Sequence, residues 1–403
     1  MDGREATEPQ AREERLFARL REHLPEAAKA APGLGRHLEG HDLGAVTNRE
    51  ALARLPVLRK ADLMAAQGAN PPFGGFVDEA RLAGSRVFLS PGPIWEPQGE
   101  GADPWQATRA LHAAGFRKGD RVLNALAYGP TPGGFILDAG ARALGCTVFP
   151  AGAGGTQASV QAIEALRPQG YLGTPDYLKV LLDQAATDGV DASSLGKALV
   201  SGGALFPSMR ADYRERGVAV MQCYATADLG VIAYETDPEG ANGMVVSEDL
   251  IVEIVRPGTG DPVPPGEVGE VVVTTFSRTY PLVRFGTGDL SAELEGEFDD
   301  GRTNMRLKGW MGRADQRTKV KGMFVDPAQV AAVVRRAGMT GARLVVSREG
   351  TGDAMELRYT GESDEAAVAE ALRAETGMKG TAVRVRELPN DGKVIADERD
   401  YEG

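Results

Sequence analysis

The stretch RVLNALAYGPTPGGFILDAGARALGCTVFPAG, residues 121–152, contains two kinds of apolar pattern in alternation. RVLNALAY and CTVFPAG are short apolar runs typical of strands, whereas GGFILDAGARAL between them has the length and spacing of a helix. A strand, a helix and a second strand in this order predict a βαβ unit with parallel strands.

The same alternation continues along the chain to about residue 225. Segments that read in turn as helix or strand are SVQAIEAL (159–166), YLGTP (171–175), KVLLDQAA (179–186), KALVSGG (197–203), MRADYRERG (209–217) and VAVMQCYA (218–225). An amphipathic helix over residues 9–30, with leucines four residues apart, precedes them. We therefore predict a mainly parallel sheet, whose ligands bind at the carboxyl ends of the strands.

The pattern changes after about residue 230. IVEIVRP, GEVGEVVVTTF and LVRFG, separated by Gly and Pro turns, predict an antiparallel β subdomain. A helix at 327–338, strands at 342–347 and 354–360, a helix at 364–377 and a strand at 382–388 then predict a small α+β domain. The expected fold is α/β, with a large N-terminal domain (1–313) of mainly parallel sheets plus the β subdomain, and a small mobile C-terminal domain (314–403).

Composition excludes several classes of protein. The 403 residues carry a formal net charge of -12, so the overall field repels nucleic acids. Cys146 and Cys223 are the only cysteines and have no partner spacing, which excludes a disulfide framework and a thiolate metal site. The charged start has no signal-peptide core, and no later run is long enough to span a membrane. These features predict a cytoplasmic protein with no membrane partner.

Four stretches together resemble the adenylate-forming superfamily, in particular the phenylacetate–CoA ligase family. They are residues 127–156, the pair SGGALF and QCYATADLG, YPLVRFGTGDL (280–290), and GRADQRTKVKGMFVDPAQV (312–330). LARLPVLRKADL, near the N-terminus, is similar to an early stretch of the same family. The resemblance implies that ATP and Mg²⁺ activate a carboxylic acid, with aromatic acids favoured, as an acyl-adenylate for transfer to coenzyme A. It leaves a homodimer open as the assembly.

The resemblance also implies which residues hold the nucleotide. Asp289 would accept both ribose hydroxyls of ATP or AMP, since a carboxylate offers two acceptor oxygens. Arg313 would contact ribose and phosphate. Tyr224 would stack on adenine, and Asp228 stands where the family has the glutamate that organises Mg²⁺. The segment that lines adenine would comprise Ser201, Gly202, Gly203 and Ala204.

Further roles follow from the same resemblance. Lys393 in LPNDGK, placed after the last predicted strand, would neutralise charge at the α-phosphate during adenylation. Asp315 would be the hinge of the small domain, and Lys319, Lys321 and Gly322 would form the loop that its rotation brings to the site. Tyr128 and Phe135 are candidates for the acyl pocket, although each can equally be an ordinary core aromatic.

The family's phosphate loop is the weakest match. FLSPGPIWEPQGEG (88–101) is expected to form a rigid loop, and SPGPIWEP (90–97) keeps Ser90, Gly92 and Pro97 of the family's pattern S-S-G-T-T-G-K-P. Pro91 and Pro93 each remove a backbone N–H donor, and Glu96 is expected to place a negative charge where the family has lysine. On that basis Glu96→Lys should tighten ATP selectively.

Two functions remain open at this point. Retention of Asp289, Arg313 and Lys393 favours an ATP-dependent acid–CoA ligase, which we prefer. The altered phosphate loop and metal motif favour the alternative, a non-catalytic or half-reaction homologue that binds AMP or acyl-adenylate but uses ATP poorly.

Overall fold

The structure is a computed structural model that describes residues 3–90, 93–203, 205–314, 318–320, 323–349, 352–389 and 393–399. The chain divides into two compact units. The first comprises Met1–Val252, Val273–Phe285 and Leu294–Gly309, and the second comprises Glu253–Val272, Gly286–Glu293 and Trp310–Gly403. A domain boundary at residue 313 stays a prediction.

The helices of the described residues lie mainly in the first unit. They are α1 (Pro9–Ala30), α2 (Pro32–His37), α3 (Arg49–Ala53), α4 (Lys60–Ala69), α5 (Ala107–Ala113), α6 (Gly133–Leu144), α7 (Thr156–Leu166), α8 (Pro175–Thr187), α9 (Pro207–Glu215), α10 (Pro327–Ala337) and α11 (Glu365–Thr376).

The strands of the described residues vary in length, with the longest two towards the C-terminus. They are β1 (Val87–Ser90), β2 (Ile94–Pro97), β3 (Arg121–Asn124), β4 (Thr147–Pro150), β5 (Gly170–Gly173), β6 (Lys197–Val200), β7 (Ala219–Thr226), β8 (Gly230–Glu235), β9 (Met244–Val246), β10 (Leu250–Val255), β11 (Gly269–Thr275), β12 (Phe285–Ser291), β13 (Arg306–Leu307), β14 (Thr318–Val320), β15 (Met323–Val325), β16 (Gly341–Glu349), β17 (Gly352–Thr360), β18 (Thr381–Arg384) and β19 (Ile395–Asp397).

An eight-stranded sheet forms the centre of the first unit. Its strand order is β13-β9-β8-β7-β6-β5-β3-β4. Strands β3 to β7 pair in parallel, whereas β8, β9 and β13 extend the sheet in antiparallel pairs. The predicted parallel sheet is confirmed, and the carboxyl ends of β6 and β7 lie side by side as a result.

The stretch 88–101, predicted to be a loop, is instead largely a β-hairpin. Strands β1 and β2 pair in antiparallel register, with Ser90 opposite Ile94 and Phe88 opposite Glu96. Phe88 and Ile94 are buried and anchor the hairpin to the core of the unit. The prolines misled the prediction, because Pro93 precedes the second strand and Pro97 ends it, where a lost N–H donor is tolerated.

A further three-stranded sheet has the order β10-β11-β12. The predicted strand LVRFG starts only at its fourth residue, Phe285, because Arg284 has a left-handed backbone with φ of 46°. Few residues other than glycine adopt that backbone conformation. The Arg284 guanidinium donates to the carbonyls of Ala53 and Leu55 at 2.8 and 2.5 Å, and these bonds help to hold the residue in it.

The C-terminal part of the second unit is a four-stranded sheet in the order β18-β17-β16-β19, with helices α10 and α11. Strands β16 and β17 are antiparallel, and each has a parallel partner at the edge. The buried core of this sheet includes Leu344, Leu357, Tyr359 and Leu372. The predicted order of helix, two strands, helix and strand is confirmed, with β19 added.

Candidate nucleotide and acyl-transfer site

Asp289 and Arg313 are brought together in the second unit. Asp289 lies in β12 with 8% of its surface exposed, and its Oδ1 atom accepts a hydrogen bond from Arg313 Nη1 at 3.1 Å. Gly288 has φ of +74°, and a Cβ atom there would lie 2.7 Å from Arg313 Nη2. Glycine therefore allows the arginine to lie against the strand. The two residues that the sequence assigned to ribose and phosphate form one charged pair.

Trp310 is a member of this group that sequence reasoning missed. Its Nε1 atom donates to the same Asp289 oxygen at 3.1 Å, although 54% of the residue remains exposed. Two donors thus hold the carboxylate in one orientation, and an exposed indole surface lies beside it. The only sequence signal was a large aromatic residue three positions before Arg313.

The predicted adenine segment follows β6 in the first unit. The Ser201 hydroxyl donates to the Cys223 carbonyl at 2.9 Å, and Gln222 Nε2 donates to the Gly203 carbonyl at 2.9 Å. Gly202 has φ of +72°, which suits glycine. These bonds hold the glycine turn beside β7, which also carries the half-buried Tyr224. The structure therefore brings Ser201, Gly202, Gly203 and Tyr224 together at the carboxyl ends of two parallel strands.

Asp228, the predicted metal ligand, is engaged with other side chains. Its carboxylate is fully buried, and Oδ2 lies 2.9 Å from Lys60 Nζ, at the start of α4. Its other oxygen is buried and has no hydrogen-bond partner among the described residues, and the Glu96 carboxyl lies nearby. As it stands, this carboxylate does not fit a metal ion, because it is fully buried and paired with the Lys60 ammonium. Lys60 was not predicted as a site residue.

The expectation that Glu96 carries a negative charge is wrong. Only 2% of Glu96 is exposed, and the Ser90 hydroxyl donates to its carboxyl group. Burial, together with the nearby Asp228 charge, raises the pKa of Glu96 to about 9, so this carboxyl is neutral at pH 7. The buried Ser90 hydroxyl is used inside the protein, and the geometry gives no support to its predicted phosphate contact.

Further contacts surround these carboxyl groups. Gln67 on α4 bonds the backbone of Trp95 twice, accepting from its N–H at 2.8 Å and donating to its carbonyl at 2.9 Å. The Leu58 N–H donates to the Arg284 carbonyl at 3.0 Å, and Lys60 Nζ lies 5.8 Å from the centre of the Phe285 ring. The YPLVRFG and LPVLRKADL stretches, far apart in sequence, therefore hold Lys60 in place jointly.

Tyr128 and Phe135 contact each other at an edge-to-face ring distance of 5.1 Å. The Tyr128 hydroxyl accepts from Asn124 at 2.7 Å and donates to Asp138 at 3.1 Å, so its polar end is already bonded. Phe135 packs against the main core, with Phe88 at 5.3 Å. Both positions favour core packing, the alternative that the sequence left open.

Lys393 lies on an open cleft of the second unit with a volume of about 490 Å³. Arg256, Arg343 and Leu388 also line it. Lys393 does not follow the last strand as predicted, because β19 comes after it and pairs in parallel with β16. That three-residue strand is too short to show a period in the sequence.

Several predicted residues lie outside the described part of the chain. They are Gly92, Ala204, Asp315, Lys321 and Gly322, and the side chain of Lys319 is likewise outside it. Their assigned roles stay predictions.

Comparison with known proteins agrees with this geometry. The family described as AMP-binding enzyme matches residues 105–277. A phenylacetate–coenzyme A ligase of Thermus thermophilus is 32% identical over 324 residues, covering 77% of this chain and 72% of that protein. The chain belongs to the phenylacetate–CoA ligase family. The family's enzyme from Aromatoleum evansii is 31% identical and covers 78% of this chain and 71% of its own length.

Solved structures extend the family likeness to almost the whole chain. A 2-hydroxyisobutyryl-CoA ligase, in the postadenylation state with R3-HIB-AMP, has a TM-score of 0.72 at 26% identity. The match covers 99% of this chain and 92% of that one. The same ligase with 2-HIB-AMP and CoA in the thioester-forming state gives a TM-score of 0.69. Within the described residues, no helix combines the length and apolar character needed to cross a membrane.

Proposed function

We propose that this protein is an AMP-forming acid–CoA ligase. In the first half reaction a carboxylate oxygen attacks the α-phosphorus of ATP, and pyrophosphate leaves. In the second, the sulfur of coenzyme A attacks the acyl carbon of the adenylate, and AMP leaves. The observation that carries the proposal is the Asp289 carboxylate held by Arg313 and Trp310 in a chain of this family.

The nucleotide-binding roles are proposed for each unit by itself. Asp289 binds the ribose, because a carboxylate with one oxygen fixed by cationic and indole donors is preorganised to accept hydroxyl donors. The glycine turn after β6 and Tyr224 take the adenine, since glycines let the backbone approach a flat base. Arg313, whose side chain is half-exposed, contacts the phosphate through its guanidinium group.

Lys393 supplies the mobile cation of the adenylation step. Its ammonium neutralises the charge that develops on the α-phosphate as pyrophosphate leaves. Its exposed position on a cleft with Arg256 and Arg343 supports a role towards an anion. Asp315 remains the proposed hinge for rotation of the small domain between the two half reactions.

Mg²⁺ would supply charge neutralisation on the phosphates of ATP. Asp228 does not fit as its ligand, since its carboxylate is fully buried and paired with the Lys60 ammonium. In the described ranges, no group of three His, Cys, Asp or Glu side chains could hold a metal ion. No step is therefore assigned to a protein-bound metal.

The substrate is proposed to be an aromatic carboxylic acid, as the names of the relatives suggest. Tyr128 and Phe135 remain its candidate pocket residues, although Phe135 is packed into the core. A cytoplasmic location and a homodimer are further parts of the proposal, and size-exclusion chromatography tests the second.

The half-reaction alternative keeps one observation in its favour. The hairpin that replaces the phosphate loop buries both Ser90 and Glu96, so neither side chain is available to the β- and γ-phosphates. Pyrophosphate release, measured with ATP and a panel of phenylacetic and benzoic acids, separates the two functions. A ligase releases pyrophosphate only when the right acid is present, whereas a half-reaction homologue binds AMP without releasing it.

A further inference from the structure

Lys60, Asp228 and Glu96 form a buried cluster in the first unit. Lys60 Nζ lies 2.9 Å from Asp228 Oδ2, the distance of a charge-assisted hydrogen bond. The Asp228 side chain has no exposed surface, whereas 30% of the Lys60 side chain is exposed. Lys60 therefore closes the cluster from its outer side and neutralises the carboxylate next to it.

Glu96 lies next to this ion pair. Asp228 Oδ1 and Glu96 Oε2 are both buried and have no hydrogen-bond partner among the described residues. A buried ionised carboxylate needs a positive charge beside it, and Lys60 provides that charge at Asp228.

Charge balance shows what this arrangement replaces. A divalent cation held by Asp228 would have to lie within bonding distance of its carboxylate oxygens. The Lys60 ammonium already lies 2.9 Å from Oδ2 and balances the charge of this carboxylate. An added divalent ion would therefore meet a like charge at short distance unless Lys60 moved out.

We propose that the Lys60 ammonium takes the place of a divalent cation at Asp228, so that this carboxylate is not a metal ligand. A Mg²⁺ ion that arrives on ATP is then held by phosphate oxygens and water, without Asp228. The inference depends on the proposed function only for the presence of a nucleotide nearby. Its test measures metal binding and not turnover, so its failure is distinguishable from failure of the ligase assignment.

The test titrates Mn²⁺ into the full chain, with AMP present, and counts free Mn²⁺ by electron paramagnetic resonance. Wild type and Asp228→Asn should bind Mn²⁺ equally. Lys60→Met should gain one site at least about tenfold tighter than any in wild type, because it leaves the carboxylates without their cation. Lys60→Met/Asp228→Asn should lose that site again. Lys179→Met, which removes an exposed lysine 3.0 Å from Asp183, is the matched control and should gain none.

Two results would overturn the proposal. One is a Mn²⁺ site in wild type that Asp228→Asn removes, and the other is a folded Lys60→Met variant that gains no site. If Lys60→Met does not fold, the comparison of wild type with Asp228→Asn decides. The melting temperature then gives a second readout, since Mg²⁺ should raise that of wild type no more than that of Asp228→Asn at equal ionic strength.

Discussion

Asp289 and Arg313 contact each other through both backbone and side chain. Their backbones form an isolated antiparallel β-bridge, and Arg313 Nη1 donates to Asp289 Oδ1 at 3.1 Å. The two residues lie 24 positions apart, in different motifs. The family resemblance assigned Asp289 to the ribose, and Arg313 to the ribose and the phosphate. Because the pair is held at two levels, the carboxylate keeps its orientation without a bound nucleotide.

Replacing Asp289 should therefore weaken AMP binding strongly. Asp289→Ala removes the acceptor of two ribose hydroxyls, worth together about 3 kcal/mol or about a hundredfold in affinity. Isothermal calorimetry with AMP measures this loss. Asp191→Ala, which removes an exposed aspartate 3.0 Å from Arg167, is the control for charge and should bind AMP as wild type does. Unchanged affinity in Asp289→Ala would remove the ribose from this site.

Trp310 should report nucleotide binding through its fluorescence. Its indole N–H is bonded to Asp289 while 54% of the residue is exposed, so a ribose at Asp289 would change its surroundings. AMP should change the fluorescence emission of wild type but not that of Trp310→Phe. Trp95→Phe, which removes another exposed tryptophan, is the control and should respond as wild type does. A full response in a Trp310→Phe variant that still binds AMP would place the nucleotide elsewhere.

Glu96 should make the folded state less stable as the pH rises. Its pKa is raised from an ordinary value of 4.5 to about 9, so the folded state holds a proton that the unfolded state releases. The stabilisation that this proton gives the folded state is fully present below about pH 4.5 and is lost as the pH rises through about 9. Between these values the free energy of unfolding falls by up to about 1.4 kcal/mol per pH unit.

Denaturant unfolding between pH 5 and 9 measures this slope. Glu96→Gln keeps the shape of the side chain without a titrating proton, so its profile should be flatter than that of wild type. Glu239→Gln, at an exposed glutamate 2.8 Å from Arg214, should keep the wild-type slope. Parallel profiles for wild type and Glu96→Gln would show that Glu96 is ionised in the folded protein.

Lys393→Ala should affect one half reaction selectively. It should abolish formation of the acyl-adenylate, because the cation that neutralises the departing phosphate charge is lost. Thioester formation from a supplied acyl-adenylate and CoA should continue at a rate near that of wild type. Lys379→Ala, at another exposed lysine of the second unit, should leave both steps intact. Equal loss in the two half reactions would contradict the assigned role.

Much of the fold could be predicted because it depends on local periodicity. Helix α6 begins at Gly133 and ends at Leu144, as its apolar spacing predicted, and the parallel pairing of β3 to β7 agrees with the alternation. Local pattern could not show that Glu96 is neutral, because its pKa depends on burial and on Asp228. It also gave no signal for Lys60, whose partner Asp228 lies 168 residues away.

Motifs named candidate residues, and the structure brings some of them together. Asp289 contacts Arg313, and the glycine turn after β6 lies beside Tyr224 in β7, while their assigned roles stay predictions. The phosphate loop was not predictable, since its prolines indicate a rigid loop as readily as a hairpin. The antiparallel pairing of β1 with β2 in the structure decides between the two.

The measurement that tests the central claim most directly follows pyrophosphate, AMP and thioester with ATP and a panel of aromatic acids, before and after CoA is added. The account predicts pyrophosphate release that depends on the acid, and release of AMP with an acyl-CoA thioester only once CoA is present. Tight binding of AMP with no acid-dependent pyrophosphate release for any acid would contradict it and favour a half-reaction homologue.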